Sequence, residues 1–339
     1  MSNKPILVAE ISANHSGSIL TAKKLIKCAK TYGADAVKLQ TFTPDSMTIK
    51  SKKKQFKLKS GIWKGYSLWD LYDKAKTPLK WHADLFSYAK KIGIKIFSTP
   101  FDEAAVDFLE RLKCPIYKVA SFEIVDIPLI IKIAKTNKPM IISTGMANLS
   151  EIELALKTAK KYGSRDITLL YCVSNYPSNF KDFNLNNIKI LKDKFKCKVG
   201  LSDHSIDNKV AIGAVALGAE IVEKHIALEN QKKGLDIKFS LKGKEIKKFK
   251  EDLLETHFMT SKKYFYRSLA EKKNLFLRRS ILAIKQIKKG EKFNLENIKC
   301  LRPSNGAPPK YFKKILNKYS IKSYDIGDPI KMRDIKSLL

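Results

Sequence analysis

Arginine is scarce in this chain. Only seven of 339 residues are arginine, although lysine and arginine together number 66 against 33 acidic residues and the formal charge is +33. Such an excess invites a nucleic-acid reading, but nucleic-acid surfaces draw on arginine for bidentate contacts. The lysines are instead scattered, often in pairs such as Lys23-Lys24, Lys90-Lys91, Lys160-Lys161 and Lys247-Lys248. They read as a solvated surface whose positive field still attracts a polyanionic small molecule. No nucleic-acid partner is expected. Cysteine is sparse too. Cys28, Cys114, Cys172, Cys197 and Cys300 are odd in number, scattered, and form no CxxC pair. That argues against a disulfide framework and a zinc ribbon, and for a reducing cytoplasm. No apolar run reaches the length of a membrane span. Met1-Ser2-Asn3-Lys4-Pro5 leads straight into an apolar run and reads as no signal peptide.

What is present is a repeated grammar. Apolar, β-branched runs end in polar residues, and a helical segment follows each. Ile6–Ile11 carries Glu10 and leads to Asn14-His15; Ala36–Gln40 carries Lys38 and Gln40; Ile94–Phe97 ends in Ser98-Thr99-Pro100. Ile116–Ala120 carries Lys118 and leads to Ser121 and Glu123; Met140–Ile142 ends in Ser143-Thr144-Gly145; Ile167–Tyr171 leads to Cys172, Ser174 and Tyr176. Two further runs end in Ser202-Asp203-His204 and Glu223-Lys224-His225. Eight such units predict a (β/α)8 TIM barrel with its active site at the C-terminal strand ends. Any one serine there serves equally as a helix cap. Caps do not call for Glu10, Lys38, Lys118 and Lys224 inside apolar strands, so these four are expected to line a polar cavity.

The last two runs flank an alanine-rich helical stretch, Val210 to Gly218. A strand–helix–strand crossover makes the strands parallel and brings His204 and His225 to one sheet edge. Two imidazoles there, with a carboxylate and a lysine beside them, can hold a divalent metal and an anion together. The segment Thr41 to Pro78 is long for a barrel loop. It holds Trp63 and Trp69, with Trp81 just beyond. It reads as an aromatic lid over a substrate with apolar groups, although some of these rings are expected simply to pack the loop onto the rim. Lys244 to Tyr266 reads as one long basic helix. Gly- and Pro-punctuated short runs then predict a small β-rich domain. The expected organisation is a barrel over 1–262, a linker over 263–278 and a small domain over 279–339.

These residues together resemble the sialic acid synthase family. The likeness rests on Glu10 with Asn14-His15, Lys38-Leu39-Gln40, Ser98-Thr99-Pro100-Phe101, Lys118 to Glu123, Ser143-Thr144-Gly145-Met146, Tyr176-Pro177 and the two histidine strings. The tail resembles the family's antifreeze-like, or SAF, domain. Within the family the pseudaminate branch is the nearer likeness, on Trp63-Lys64-Gly65, Leu71-Tyr72 and Thr77-Pro78. The resemblance implies condensation of phosphoenolpyruvate with an N-acetylated sugar to give a nine-carbon 2-keto acid and phosphate. It implies Mn²⁺ on His204 and His225, with Mg²⁺ or Co²⁺ as alternatives. Lys118, Ser121, Ser143, Ser174 and Ser202 would surround the phosphate; Lys38 and Thr99 would meet the carboxylate. Glu10 would activate the attacking water. Gln40, Glu123, Tyr176 and Asp236 would orient the sugar. Arg302 would bind sugar from the SAF domain of the other subunit of a domain-swapped homodimer. Ser174 departs from the Asn or Thr of sialate-type members, which puts its phosphate contact in doubt. A metal-dependent aldolase shares the two histidines but gives no reason for the tail. An ice-binding module leaves the strand-end set unexplained.

Overall fold

A computed structural model describes residues 4–262 and 264–339. Met1-Ser2-Asn3, on which the leader reading rests, and Lys263 lie outside the described residues. The chain divides into two compact units, Met1–Ser261 and Lys262–Leu339.

In the first unit eight parallel strands follow one another around a closed sheet: β1 (Ile6–Glu10), β2 (Ala36–Thr41), β3 (Lys95–Pro100), β4 (Tyr117–Val119), β5 (Met140–Ser143), β6 (Ile167–Cys172), β7 (Lys198–Asp203) and β8 (Ile221–Ala227). Pairing of β1 with β8 closes the barrel, in a register that sets Glu10 beside His225. A two-residue strand, β9 (Leu241–Lys242), extends β8. Helices follow the strands, and several start where the sequence supplies an oxygen. Asp102 accepts from the Ala105 N–H at 2.7 Å, and Asn148 accepts from the Ser150 and Glu151 N–H groups.

Successive side chains on a strand face opposite ways, and this alternation sorts the chemistry. The outward positions Val37, Leu39, Leu169, Val199, Leu201 and Val222 are buried against helix residues such as Leu25, Val106, Ile130, Ala211 and Phe249. Fully burying each large aliphatic is worth about 1.5–3 kcal/mol. The inward positions near the C-terminal end are Glu10, Lys38, Thr99, Lys118, Ser143, Cys172, Ser202, Glu223 and His225. The core that stabilises the barrel therefore lies outside its wall, which leaves the lumen free to carry charge.

In the second unit β10 (Ser280–Ala283) and β11 (Ile298–Leu301) pair antiparallel around a core of Ile281, Ile287, Phe293, Ile298, Tyr324 and Ile330. Single bridges such as Ile287 to Tyr324 supply the other strand contacts. The segment read as a linker carries a short helix, Leu269–Lys273, capped by Ser268, and a 3-10 turn, Asn274–Leu277. The long basic helix is shorter than expected: it runs Glu245–Thr260. Hydroxyls of Thr260 and Ser261 bond back to the carbonyls of Thr256 and Phe258 and take up the last turn. Tyr264 to Tyr266 lie beyond it, and Phe265 is fully exposed. Among the described residues no helix is long and apolar enough to cross a membrane.

Candidate active site in the barrel lumen

Glu10 is wholly buried at the end of β1. Its Oε2 contacts Lys38 Nζ from β2, and its Oε1 accepts the Ser12 N–H at 2.8 Å. Lys38 also donates to Thr99 Oγ1 at 3.0 Å and lies 3.6 Å from Glu223 Oε1. Burial raises the Glu10 pKa above the usual carboxylate range, against the pull of Lys38. Burial alone would lower that of Lys38; Glu10 and Glu223 outweigh it and raise it. Glu223 accepts from Ser202 Oγ at 3.2 Å, while its Oε2 is buried without a hydrogen bond. Burial opposes its ionisation, but Lys38 and then Lys118 hold it ionised, well below the ordinary range.

On the other side of the lumen Lys118 donates to Ser143 Oγ at 2.6 Å and to its neighbour's carbonyl at 3.1 Å. Burial pushes its pKa down. Beside it Ser121 Oγ and Cys172 Sγ are 2.9 Å apart, with Ser174 Oγ 3.8 Å beyond the sulfur. All three converge on Gly145. A methyl there would lie 2.2 Å from Ser174 Oγ, 2.8 Å from the sulfur and 2.9 Å from Ser121 Oγ. Only glycine leaves that space open. An ammonium and a ring of hydroxyls form a suitable cradle for a phosphate.

The histidines complete the rim. Their ring centroids are 5.7 Å apart. His204 Nδ1 faces the Val173 carbonyl at 3.1 Å, so a proton there leaves Nε2 as a free lone pair. Burial, then His225, lowers the His204 pKa to about 3 and keeps it neutral. His225 Nδ1 lies 3.5 Å from Asp236 Oδ2, the outer limit of a hydrogen bond. Tyr176 lies tilted against His204 with centroids 4.4 Å apart, and Phe239 packs edge-on against His225 at 4.8 Å.

Residues 25–264 match the NeuB family, and residues 278–336 match the SAF domain. The chain belongs to the NeuB family. A pseudaminic acid synthase of Campylobacter jejuni subsp. jejuni serotype O:2 is 42% identical over 335 residues, 98% of this chain and 97% of the relative. An N,N'-diacetyllegionaminic acid synthase of the same organism is 40% identical over 332 residues, 97% of this chain and 99% of that one. The crystal structure of the N-acetylneuraminic acid synthetase of Leptospira borgpetersenii serovar Hardjo-bovis, with citrate, superposes with a TM-score of 0.72 at 30% identity. That match covers 80% of this chain and 90% of the other.

This NeuB family barrel brings most of the expected site residues together. Gln40 pairs in register with Thr99. Glu123 is half-buried in the turn after β4, with its Oε2 buried; burial outweighs Lys118 and lifts its pKa to about 7. Arg302 belongs to the second unit, where it is exposed just after β11. One expectation changes. Lys224 does not line the lumen: alternation turns it to the helix side of β8, where it binds Asp203 at 2.8 Å and the Ser205 carbonyl. Ser98 faces outward too, and shares a hydrogen bond of 2.6 Å with Thr41. Of the three tryptophans, Trp63 reaches the site. It touches Tyr176 at 5.4 Å and donates to the Leu235 carbonyl at 3.1 Å. Trp69 bonds Asp45 within its own loop, and Trp81 packs on His15. Glu223, Cys172 and Phe239 had no assigned role. The alternation Glu223–Lys224–His225 was the available signal for the first; nothing local announces Phe239.

The donor set fits a divalent cation. Two imidazoles sharing one ion at about 2.1 Å per bond have centroids within roughly 6.4 Å of each other, and these satisfy that limit. Among the described residues no group of three or more His, Cys, Asp or Glu is arranged to hold a metal. A cation here would keep open positions for substrate and water.

Proposed function

We propose that this chain is a pseudaminic acid synthase. It condenses phosphoenolpyruvate with 2,4-diacetamido-2,4,6-trideoxy-β-L-altropyranose and water to give pseudaminic acid and phosphate. The carrying observation is the lumen: a phosphate cradle and a second cationic corner, on either side of Glu223 and under two histidines, in a chain alike over 98% of its length to a pseudaminic acid synthase. Trp63 against Tyr176 adds an apolar wall that suits the methyl groups of a trideoxy, diacetamido sugar.

Lys118, Ser121, Ser143, Ser174 and Ser202 bind the phosphate, and Lys38 with Thr99 binds the carboxylate. Gln40, Glu123, Tyr176 and Asp236 orient the sugar. A divalent cation on His204 and His225, Mn²⁺ by family likeness, would polarise the aldehyde oxygen. As C3 of phosphoenolpyruvate attacks the aldehyde carbon, Glu10 takes a proton from the water that adds to C2. Its raised pKa brings it nearer to working pH as a base. The tetrahedral centre at C2 then expels phosphate and leaves the 2-keto acid.

The test is incubation with phosphoenolpyruvate, Mn²⁺ and a panel of hexosamine derivatives, followed by phosphate release and mass spectrometry. Strong preference for the diacetamido altrose is expected. Equal or better turnover of N-acetylmannosamine would move the assignment to a neuraminate synthase, and of the legionaminate precursor to a legionaminate synthase. We also propose a cytoplasmic homodimer in which Arg302 serves the partner's sugar site. Mixed dimers of Arg302→Ala and His225→Ala chains should then regain part of the activity, and no recovery on proven exchange rejects the arrangement.

A further inference from the structure

The turn after β1 is tied, at the seam where the barrel closes, to a loop more than two hundred residues away in sequence. Asn14 is wholly buried. Its Nδ2 donates to the Ile226 carbonyl at 2.9 Å and to Ser240 Oγ at 2.8 Å. Its Oδ1 accepts the Asp236 N–H at 3.3 Å, and its own carbonyl accepts Gln231 Nε2 at 2.6 Å. Ser240 Oγ in turn donates to the Asp236 carbonyl at 2.7 Å. One side chain thus spends both donor hydrogens and its acceptor on β8 and the loop behind it. Gly234 makes the approach feasible. A methyl there would lie 2.6 Å from Asn14 Oδ1 and 3.3 Å from Gln231 Nε2, so with any side chain at 234 the loop and the asparagine cannot both keep these positions.

What this strut holds is Asp236. Its carboxylate stands 3.5 Å from His225 Nδ1, a nitrogen that is buried and makes no hydrogen bond. The strut also fixes Ile226, the residue next to His225, from the other side. We propose that Asn14 and Gly234 are positioning residues that seat the Asp236 carboxylate on His225 Nδ1, so that the ring keeps its proton there and presents Nε2 to a divalent cation. Outer partners of this type are worth about 10- to 100-fold in metal affinity. The inference rests on the reading of His204 and His225 as the cation site.

The test needs no turnover. Mn²⁺ is titrated into wild type, Asn14→Ala, Gly234→Ala and Asp236→Asn without substrates, and free Mn²⁺ is followed by electron paramagnetic resonance. Thermal unfolding is recorded beside it. Each variant is expected to weaken Mn²⁺ binding by about 10- to 100-fold. Gly234→Ala combined with Asp236→Asn should be little worse than Asp236→Asn alone, because both break one chain of contacts. Wild-type Mn²⁺ affinity in a folded Gly234→Ala protein overturns the proposal, whatever becomes of Asn14→Ala. If wild type itself binds no Mn²⁺ while His204→Ala behaves identically, the underlying two-histidine site is wrong and the proposal falls with it.

Discussion

Lys38 with Glu10 and Lys224 with Asp203 are both buried lysine–carboxylate pairs bridging neighbouring strands of one barrel, within about one residue of the same height. They differ in the face of the sheet they occupy and in what remains unmet. The outer pair is closed. Lys224 serves Asp203 Oδ2 and the Ser205 carbonyl, and Asp203 Oδ1 accepts the Ser205 N–H at 2.8 Å. The inner set is open. One lysine is shared between two carboxylates, Glu223 Oε2 has no hydrogen bond, and Lys118 meets only neutral oxygens in its hydrogen bonds. The same chemistry is structural where its valences close on one another. It is poised for a ligand where they do not.

The sharpest way to break this comparison is at Glu10. Glu10→Gln should lower turnover roughly 10²–10⁴-fold, the scale of general acid–base help, with phosphoenolpyruvate binding retained. Loss of that binding instead, by calorimetry, would make Glu10 part of the anion site. Next comes the outer pair. Lys224→Met strands a buried carboxylate and should cost about 3–5 kcal/mol of stability, read as a shift in urea midpoint. Lys118→Met, facing the lumen, should leave the midpoint level or raised and lose phosphoenolpyruvate affinity. A reversal of the two phenotypes would mean that the faces are misassigned.

A smaller effect is set by pH. Glu123 keeps its proton in the folded chain up to about 7, against an ordinary 4.5. Between these values the folded state binds more protons than the unfolded one, so this group's contribution to stability falls as pH rises. Glu123→Gln should flatten the decline in urea midpoint between pH 5 and pH 8; an unchanged slope would assign it elsewhere. The smallest effect concerns the lid. Trp63→Ala should raise the sugar KM roughly 2- to 12-fold, the worth of one aromatic contact, with that for phosphoenolpyruvate unchanged. Trp69→Ala should alter neither, since its ring serves its own loop.

Much of this was legible because a parallel barrel writes its site into strand ends. Glu10, Lys38, Lys118 and the two histidines stand out as charges and imidazoles at the ends of apolar runs. Lys224 was misread because composition was used without parity: it sits one position from an inward residue, and a period of two sends it to the other face. The roles of Asn14, Gly234 and Phe239 lay beyond reach for another reason. Their partners are distant in sequence, and no local pattern records a contact that exists only once the sheet has closed. The same holds for the choice among three tryptophans, which depends on where Tyr176 and Leu235 end up.

The register that joins β1 to β8, Ile6 with Ile221 through Glu10 with His225, has a consequence for synthesis. At about 5–20 residues per second, roughly 10–40 s pass between the two strands leaving the ribosome. During that interval one edge of Ile6-Leu7-Val8-Ala9 has no neighbour, and it is the apolar kind of edge that captures other chains. Glu10 and His225 also meet for the first time in this closing step. The nascent barrel is therefore at its most vulnerable just before it becomes an enzyme. Ribosome-stalled chains ending near residue 215 should leave β1 open to protease, and chains long enough to expose β8 should protect it.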